Sequence, residues 1–182
     1  MTQAGHDLWV FGYGSLMWNP GFAFIERKQA VMHGFHRSLC MYSYMYRGTP
    51  ERPGLVLGLD RGGACHGVAF RVAPGAWAEA LAYLRAREQV TMMYREVTRR
   101  ARLVHEEGSA VEALTYVVDR NHAQYAGRLD HAVQMRHILQ GHGQSGSCRD
   151  YVLNTVAHLR ELGIRDRPLE RLAAELALAP ID

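Results

Sequence analysis

Strand-like segments dominate the first part of this chain and helical segments gather toward its end, an order that constrains the fold more than any single motif. Leu8–Gly12 is a short apolar run that breaks at Gly12-Tyr13-Gly14-Ser15. Val31–Ser43 and Leu55–Leu59 read as strands separated by Gly/Pro-rich turns. From Cys65 to Val72, His66, Val68, Phe70 and Val72 alternate with Cys65, Gly67, Ala69 and Arg71, the period of a pleated strand. Arg95–Val104 and Val111–Val118 predict a hairpin around the polar Glu106-Glu107-Gly108-Ser109 turn. Helices are predicted from Pro74 to about Val90, from Arg128 to Gln140, from near Cys148 to Gly163, and from Pro168 onward. This order indicates an α+β (mixed α/β) fold rather than a doubly wound sheet. The expectation is one domain over residues 1–182, a small mixed β-barrel or sheet of about five to six strands flanked by helices.

With 182 residues, 48% of them hydrophobic, the chain can bury a full core, which excludes an intrinsically disordered protein. The net charge of +3 is mild and spread out. Arg99, Arg100 and Arg102 suit the solvent face of a strand, so nucleic acid is not an expected partner. No run approaches the ~18 apolar residues of a membrane span, and Met1–Asp7 lacks the basic and apolar regions of a signal peptide. Cys40, Cys65 and Cys148 are odd in number and form no CxxC pair, which predicts reduced thiols and a cytoplasmic location with no membrane partner. Neither His33/His36 nor His137/His142 has a carboxylate in a recognised ligand pattern, and HExxH is absent. No metal and no other cofactor is expected.

Three segments carry possible chemistry. Trp77, Leu81 and Leu84 form an i, i+4, i+7 apolar stripe, and Glu88 follows on the same face, about 20° from Trp77 around the helix. A carboxylate aimed at a core must be partnered or used. Desolvation would raise its proton affinity toward the range of a general base; alternatively, Glu88 pairs with Arg85, Arg87 or Arg95. The second segment is the Val10-Phe11-Gly12-Tyr13-Gly14-Ser15 loop, a plain strand-ending turn or a nest of N–H groups for an anion. It is not GxGxxG, a P-loop or a nucleophile elbow. Glycine at Gly14 is expected either to keep the site clear of a side chain or to allow the backbone a positive φ. Third, Gly141–Cys148 leads into a helix with Ser147 or Ser145 as the N-cap, which puts Tyr151 in the first turn.

Together these segments resemble the ChaC family of glutathione-specific γ-glutamylcyclotransferases. The motifs are Trp9–Leu16 (WVFGYGSL), Arg47–Gly54 (RGTPERPG), Tyr83–Glu88 (YLRARE) with Tyr94 following, and Gly146–Tyr151 (GSCRDY), spread from about Leu8 to Leu162. The resemblance implies a γ-glutamylcyclotransferase-like barrel, no cofactor, Glu88 as the catalytic residue, and a γ-glutamyl site on Val10, Phe11, Gly12, Tyr13, Gly14 and Ser15. It further implies Tyr94 and Tyr151 as pocket walls, with Arg47 a looser candidate for the glycine carboxylate of glutathione. The expected reaction is closure of the γ-glutamyl group to 5-oxoproline with release of Cys-Gly. Where eukaryotic members tend to carry two glycines, this chain has Thr91, Met92 and Met93, so other γ-glutamyl amines or dipeptides remain an alternative substrate class. A catalytically silent small-molecule binding module is the reading from a different class.

Overall fold

The computed structural model describes residues 8–180; the segment 1–7, read above for a signal peptide, lies outside the described residues. Strands β1 (Leu8–Gly12), β2 (Glu26–Ser43), β3 (Gly54–Val72), β4 (Tyr94–Leu103) and β5 (Ala110–Val118) close a barrel in the order β1-β3-β2-β4-β5. Helix α1 (Trp77–Glu88) joins β3 to β4. Helices α2 (His131–Gln140), α3 (Cys148–Glu161) and α4 (Arg167–Leu178) follow, with a two-stranded ribbon of β6 (His142–Gly143) and β7 (Gly146–Ser147) between α2 and α3. The expected α+β class with a small barrel is what forms.

The chain divides into two compact units, one running through Arg37 and resuming from Leu59 to Asp119, the other formed by Ser38–Gly58 and Arg120 onward. In the first, β1 lies antiparallel to β3, from Leu8↔Val72 to Gly12↔Val68, and parallel to β5 through Trp9↔Ala113 and Val10↔Leu114. Successive residues Trp9, Val10 and Phe11 point to opposite faces and all three are buried, so β1 is covered on both faces, which explains an uninterrupted apolar run. The Thr115 hydroxyl donates to the Phe11 carbonyl at 3.0 Å and fixes the end of that strand. Phe22 and Phe24 pack edge-on against Phe70.

Two sequence expectations change here. Leu55–Leu59 and Cys65–Val72 are parts of one strand, because Gly62 and Gly63 adopt φ of +101° and +69° and let β3 kink without ending. The helix placed from Pro74 to Val90 starts with a single 3-10 turn at Pro74–Ala76, and its α-helical part stops at Glu88. Its buried stripe is Ala80 and Leu84, with Trp77 and Leu81 only half-buried.

In the second unit α2, α3 and α4 pack on one another around Ile138, Val152, Val156, Leu159, Leu172 and Leu176. Ser147 is the N-cap of α3, accepting from Asp150 N–H at 3.0 Å, and Gly163 follows the helix with φ +70°. The glycines of the Arg47–Gly54 segment have a packing reason. A Cβ on Gly48 would collide with the backbone at Gly54, Ser43 and Arg52, and one on Gly54 would collide with the Arg47 carbonyl.

Candidate active site

Glu88 is the last residue of α1, where unpaired helix carbonyls disfavour a negative charge. Its side chain is 18% exposed. Burial pushes its proton affinity above the ordinary carboxylate value, and the Arg87 charge opposes that shift. The Arg87 Nε lies 3.4 Å from Glu88 Oε1. Of the arginines proposed as alternative partners, Arg85 is committed elsewhere, bound to both oxygens of Glu96 at 2.9 and 2.8 Å. Arg95 lines a small cavity with Phe35, Leu59, Val97 and Val117.

Two residues that the sequence did not single out complete this region. Tyr116 of β5 stands opposite Glu96 of β4 and donates its hydroxyl proton to Glu96 Oε2 at 3.0 Å. Burial, that hydrogen bond and the charges of Glu96 and Glu88 all hold the Tyr116 hydroxyl protonated far above the usual phenol range. Arg85 holds Glu96 below the ordinary carboxylate range, so Glu96 stays ionised. Tyr116 feels the charges of both Glu96 and Glu88, whose own proton affinities are pushed in opposite directions.

β1 delivers the loop. Tyr13, Gly14 and Ser15 have their carbonyls taken by Arg37 Nε (2.6 Å), Met17 N–H (2.9 Å) and Asn19 N–H (2.8 Å) respectively. Among the described residues, the Gly14 and Ser15 N–H groups have no partner. With Val10 and Phe11 fully buried, the first part of the predicted segment can offer a ligand only its backbone. Gly14 has φ −131°, so a positive φ is absent and the turn does not require glycine on that ground. A residue named from sequence only as a possible partner of Glu88 connects loop and helix: Arg87 Nη2 donates to Ser15 Oγ at 2.7 Å. Tyr94, 8% exposed, opens β4 opposite Val118.

Tyr151 and Arg47 belong to the second unit. The Tyr151 hydroxyl accepts from Leu57 N–H at 3.0 Å, and the Arg47 guanidinium lies 5.3 Å from its ring centre. Arg47 also donates to the Ser147 carbonyl at 3.2 Å, so it is at least in part a brace for the α3 entry. Cys148 donates to the Leu55 carbonyl and accepts from its N–H, and burial pushes the thiol up to about 11. A thiol so buried and protonated is poorly suited to act as a nucleophile. Cys40 and Cys65 are also buried, and neither is in a disulfide among the described residues. Among the described residues, no three His, Cys, Asp or Glu side chains gather as metal ligands would, and no helix is long and apolar enough to cross a membrane.

A five-stranded barrel with a glycine loop leaving its first strand and a desolvated glutamate ending the adjoining helix defines a γ-glutamylcyclotransferase-like fold. The crystal structure of the yeast γ-glutamyl cyclotransferase specific to glutathione superposes with a TM-score of 0.84, covering 95% of this chain and 96% of that one at 22% identity. The chain belongs to the ChaC-like protein family, whose model matches residues 8–178. It is 33% identical over 165 residues to the glutathione-specific γ-glutamylcyclotransferase of Escherichia coli K12, covering 91% of this chain and 71% of that protein. It is likewise 33% identical over 171 residues to glutathione-specific γ-glutamylcyclotransferase 1 of Mus musculus, covering 91% and 76%.

Proposed function

We propose that this chain is a γ-glutamylcyclotransferase that cleaves glutathione to 5-oxoproline and Cys-Gly, with Glu88 as base and then acid. The observation that carries the mechanism is the desolvated Glu88 carboxylate beside a loop with unpartnered N–H groups. The names of the relatives given above, both specific for glutathione, support that substrate. γ-Glutamyl compounds contain their own nucleophile. Glu88 takes a proton from the α-ammonium, the free amine attacks the γ-carbonyl carbon, and a five-membered lactam closes. The C–N bond to cysteine then breaks as Glu88 gives its proton to the departing nitrogen. The lactam nitrogen sheds its second extra proton by the same carboxylate, so two protons in all pass from the α-nitrogen to the leaving amine, which departs as an ammonium. Intramolecular attack gains from proximity when the substrate is held curled, and it needs no Ser or Cys nucleophile. The Gly14 and Ser15 N–H groups hold the substrate's α-carboxylate or the tetrahedral oxyanion. Tyr94 serves as a wall. A role for Tyr151 in reading substrate rests on its place in the GSCRDY motif.

Two experiments test this reading. Reduced glutathione should be turned over in preference to γ-glutamyl-alanine; equal or better efficiency with γ-glutamyl-alanine moves the assignment to γ-glutamyl dipeptides in general. Since every proton and electron pair in the scheme is supplied by substrate and Glu88, activity should survive exhaustive EDTA dialysis. A loss that added zinc or magnesium restores would contradict the scheme.

A further inference from the structure

Side chains of consecutive helical residues normally diverge, yet Arg87 and Glu88 meet at 3.4 Å where α1 ends. The Arg87 guanidinium is anchored on several sides. Nη1 donates to the Asn19 carbonyl at 2.7 Å and to the Tyr83 hydroxyl at 3.1 Å, while Nη2 donates to Ser15 Oγ at 2.7 Å. Tyr83 is itself confined by Gly21, which has φ +74° and whose Cβ, if present, would overlap the phenol. One planar group thus ties the loop after β1 to the end of the helix bearing the carboxylate.

The chemistry of Ser15 follows from that contact. Guanidinium only donates, so it occupies a lone pair of Ser15 Oγ and the hydroxyl proton must turn elsewhere. Among the described residues that proton has no acceptor. A cation-polarised hydroxyl donor therefore stands beside two unpartnered N–H groups, a set suited to a carboxylate or an oxyanion. We infer that Arg87 is the positioning residue of this site: it holds the Ser15 hydroxyl as a donor to the anionic part of a γ-glutamyl substrate and keeps its Nε on the Glu88 carboxylate. The inference rests on the reading of Glu88 as the acid/base.

The charged groups around Glu88 give the second consequence. From α1 it is faced by Arg87; from β5 by the neutral Tyr116 hydroxyl, behind which Glu96 of β4 is paired with Arg85. Removing Arg87 leaves desolvation unopposed and moves Glu88 further up, so the acid limb of the pH–rate profile must move with it.

The test is a set of pH profiles of kcat and KM for glutathione in Ser15→Ala, Arg87→Met and Arg87→Lys. Ser15→Ala should raise KM about tenfold or more without moving the acid limb. Arg87→Met should raise KM similarly and shift the acid limb of kcat/KM up by about half a pH unit or more. Arg87→Lys should restore the limb but not KM, because an ammonium cannot span Ser15, Asn19 and Glu88 together. An Arg87→Met enzyme with a lowered melting temperature but unchanged limb and KM overturns the inference. If Arg87→Met does not fold, unchanged KM in both Ser15→Ala and Arg87→Lys overturns it. An inactive Glu88→Gln beside unchanged Arg87 and Ser15 variants removes this inference alone, whereas an active Glu88→Gln removes the reading beneath it.

Discussion

Glu88→Gln is expected to lower kcat on glutathione by a factor on the order of 10² to 10⁴ while leaving KM within a few-fold. The amide keeps the size and the hydrogen-bonding capacity of the side chain but cannot take a proton. Stability separates this from a structural role. Because burial holds Glu88 above its ordinary value in the folded chain, the folded state prefers the protonated acid. The carboxyl adds no penalty below the unfolded value. A penalty grows as pH rises from there to the raised folded value, and it persists at neutral pH. At pH 7 the Gln variant should therefore melt at the same temperature as the parent or higher, and any gain should shrink as the pH falls toward 4. If Glu88 served only as the ion-pair partner of Arg87, the swap would lower the melting temperature and leave turnover nearly unchanged.

Gly67→Ala should damage fold and site together, costing about 1–3 kcal/mol of stability and up to about 10²-fold in kcat. Gly67 lies on β3 beside the end of β1. A Cβ there would collide with the Gly12 carbonyl and stand 2.7 Å from the Phe11 ring. Phe11 is fully buried and cannot swing away. The strain must then displace the Gly12 backbone, from which the loop departs. Gly12→Ala should be milder, since its Cβ would meet Leu16 Cβ at 3.1 Å, a contact that a small shift relieves. Denaturant melts and glutathione kinetics on the two variants measure the difference, and wild-type values for Gly67→Ala would show that β1 is free to move.

Legibility from sequence followed the range of the interactions. Helix periodicity pointed to Glu88 through the stripe Trp77, Leu81 and Leu84, a local fact, although of those three only Leu84 is fully buried and Ala80 takes the other core position. The hairpin of β4 and β5 was also readable, but not its register. A turn centred on Glu106–Ser109 sets Glu96 opposite Asp119, whereas the true pairing sets it opposite Tyr116. The shift comes from backbone in the connection, where His105 and Gly108 adopt φ of +68° and +74°. With the register lost, the Tyr116–Glu96–Arg85 array was invisible. Arg87 was seen only as a possible salt-bridge partner, because its hydrogen bond to Ser15 spans 72 residues and no pattern reports it. A positive φ was one of two expectations for Gly14; the loop instead turns through the 3-10 segment at Ser15–Met17.

In the proposed reaction the substrate's own amine, relieved of a proton by Glu88, breaks the γ-glutamyl bond. Product analysis after incubating the purified protein with glutathione tests it directly. The expected products are 5-oxoproline and Cys-Gly in equal amounts, with no free glutamate. Glutamate with Cys-Gly would mean that water is the nucleophile, and no cleavage at all would mean that this barrel binds without catalysing; either result contradicts the proposed reaction.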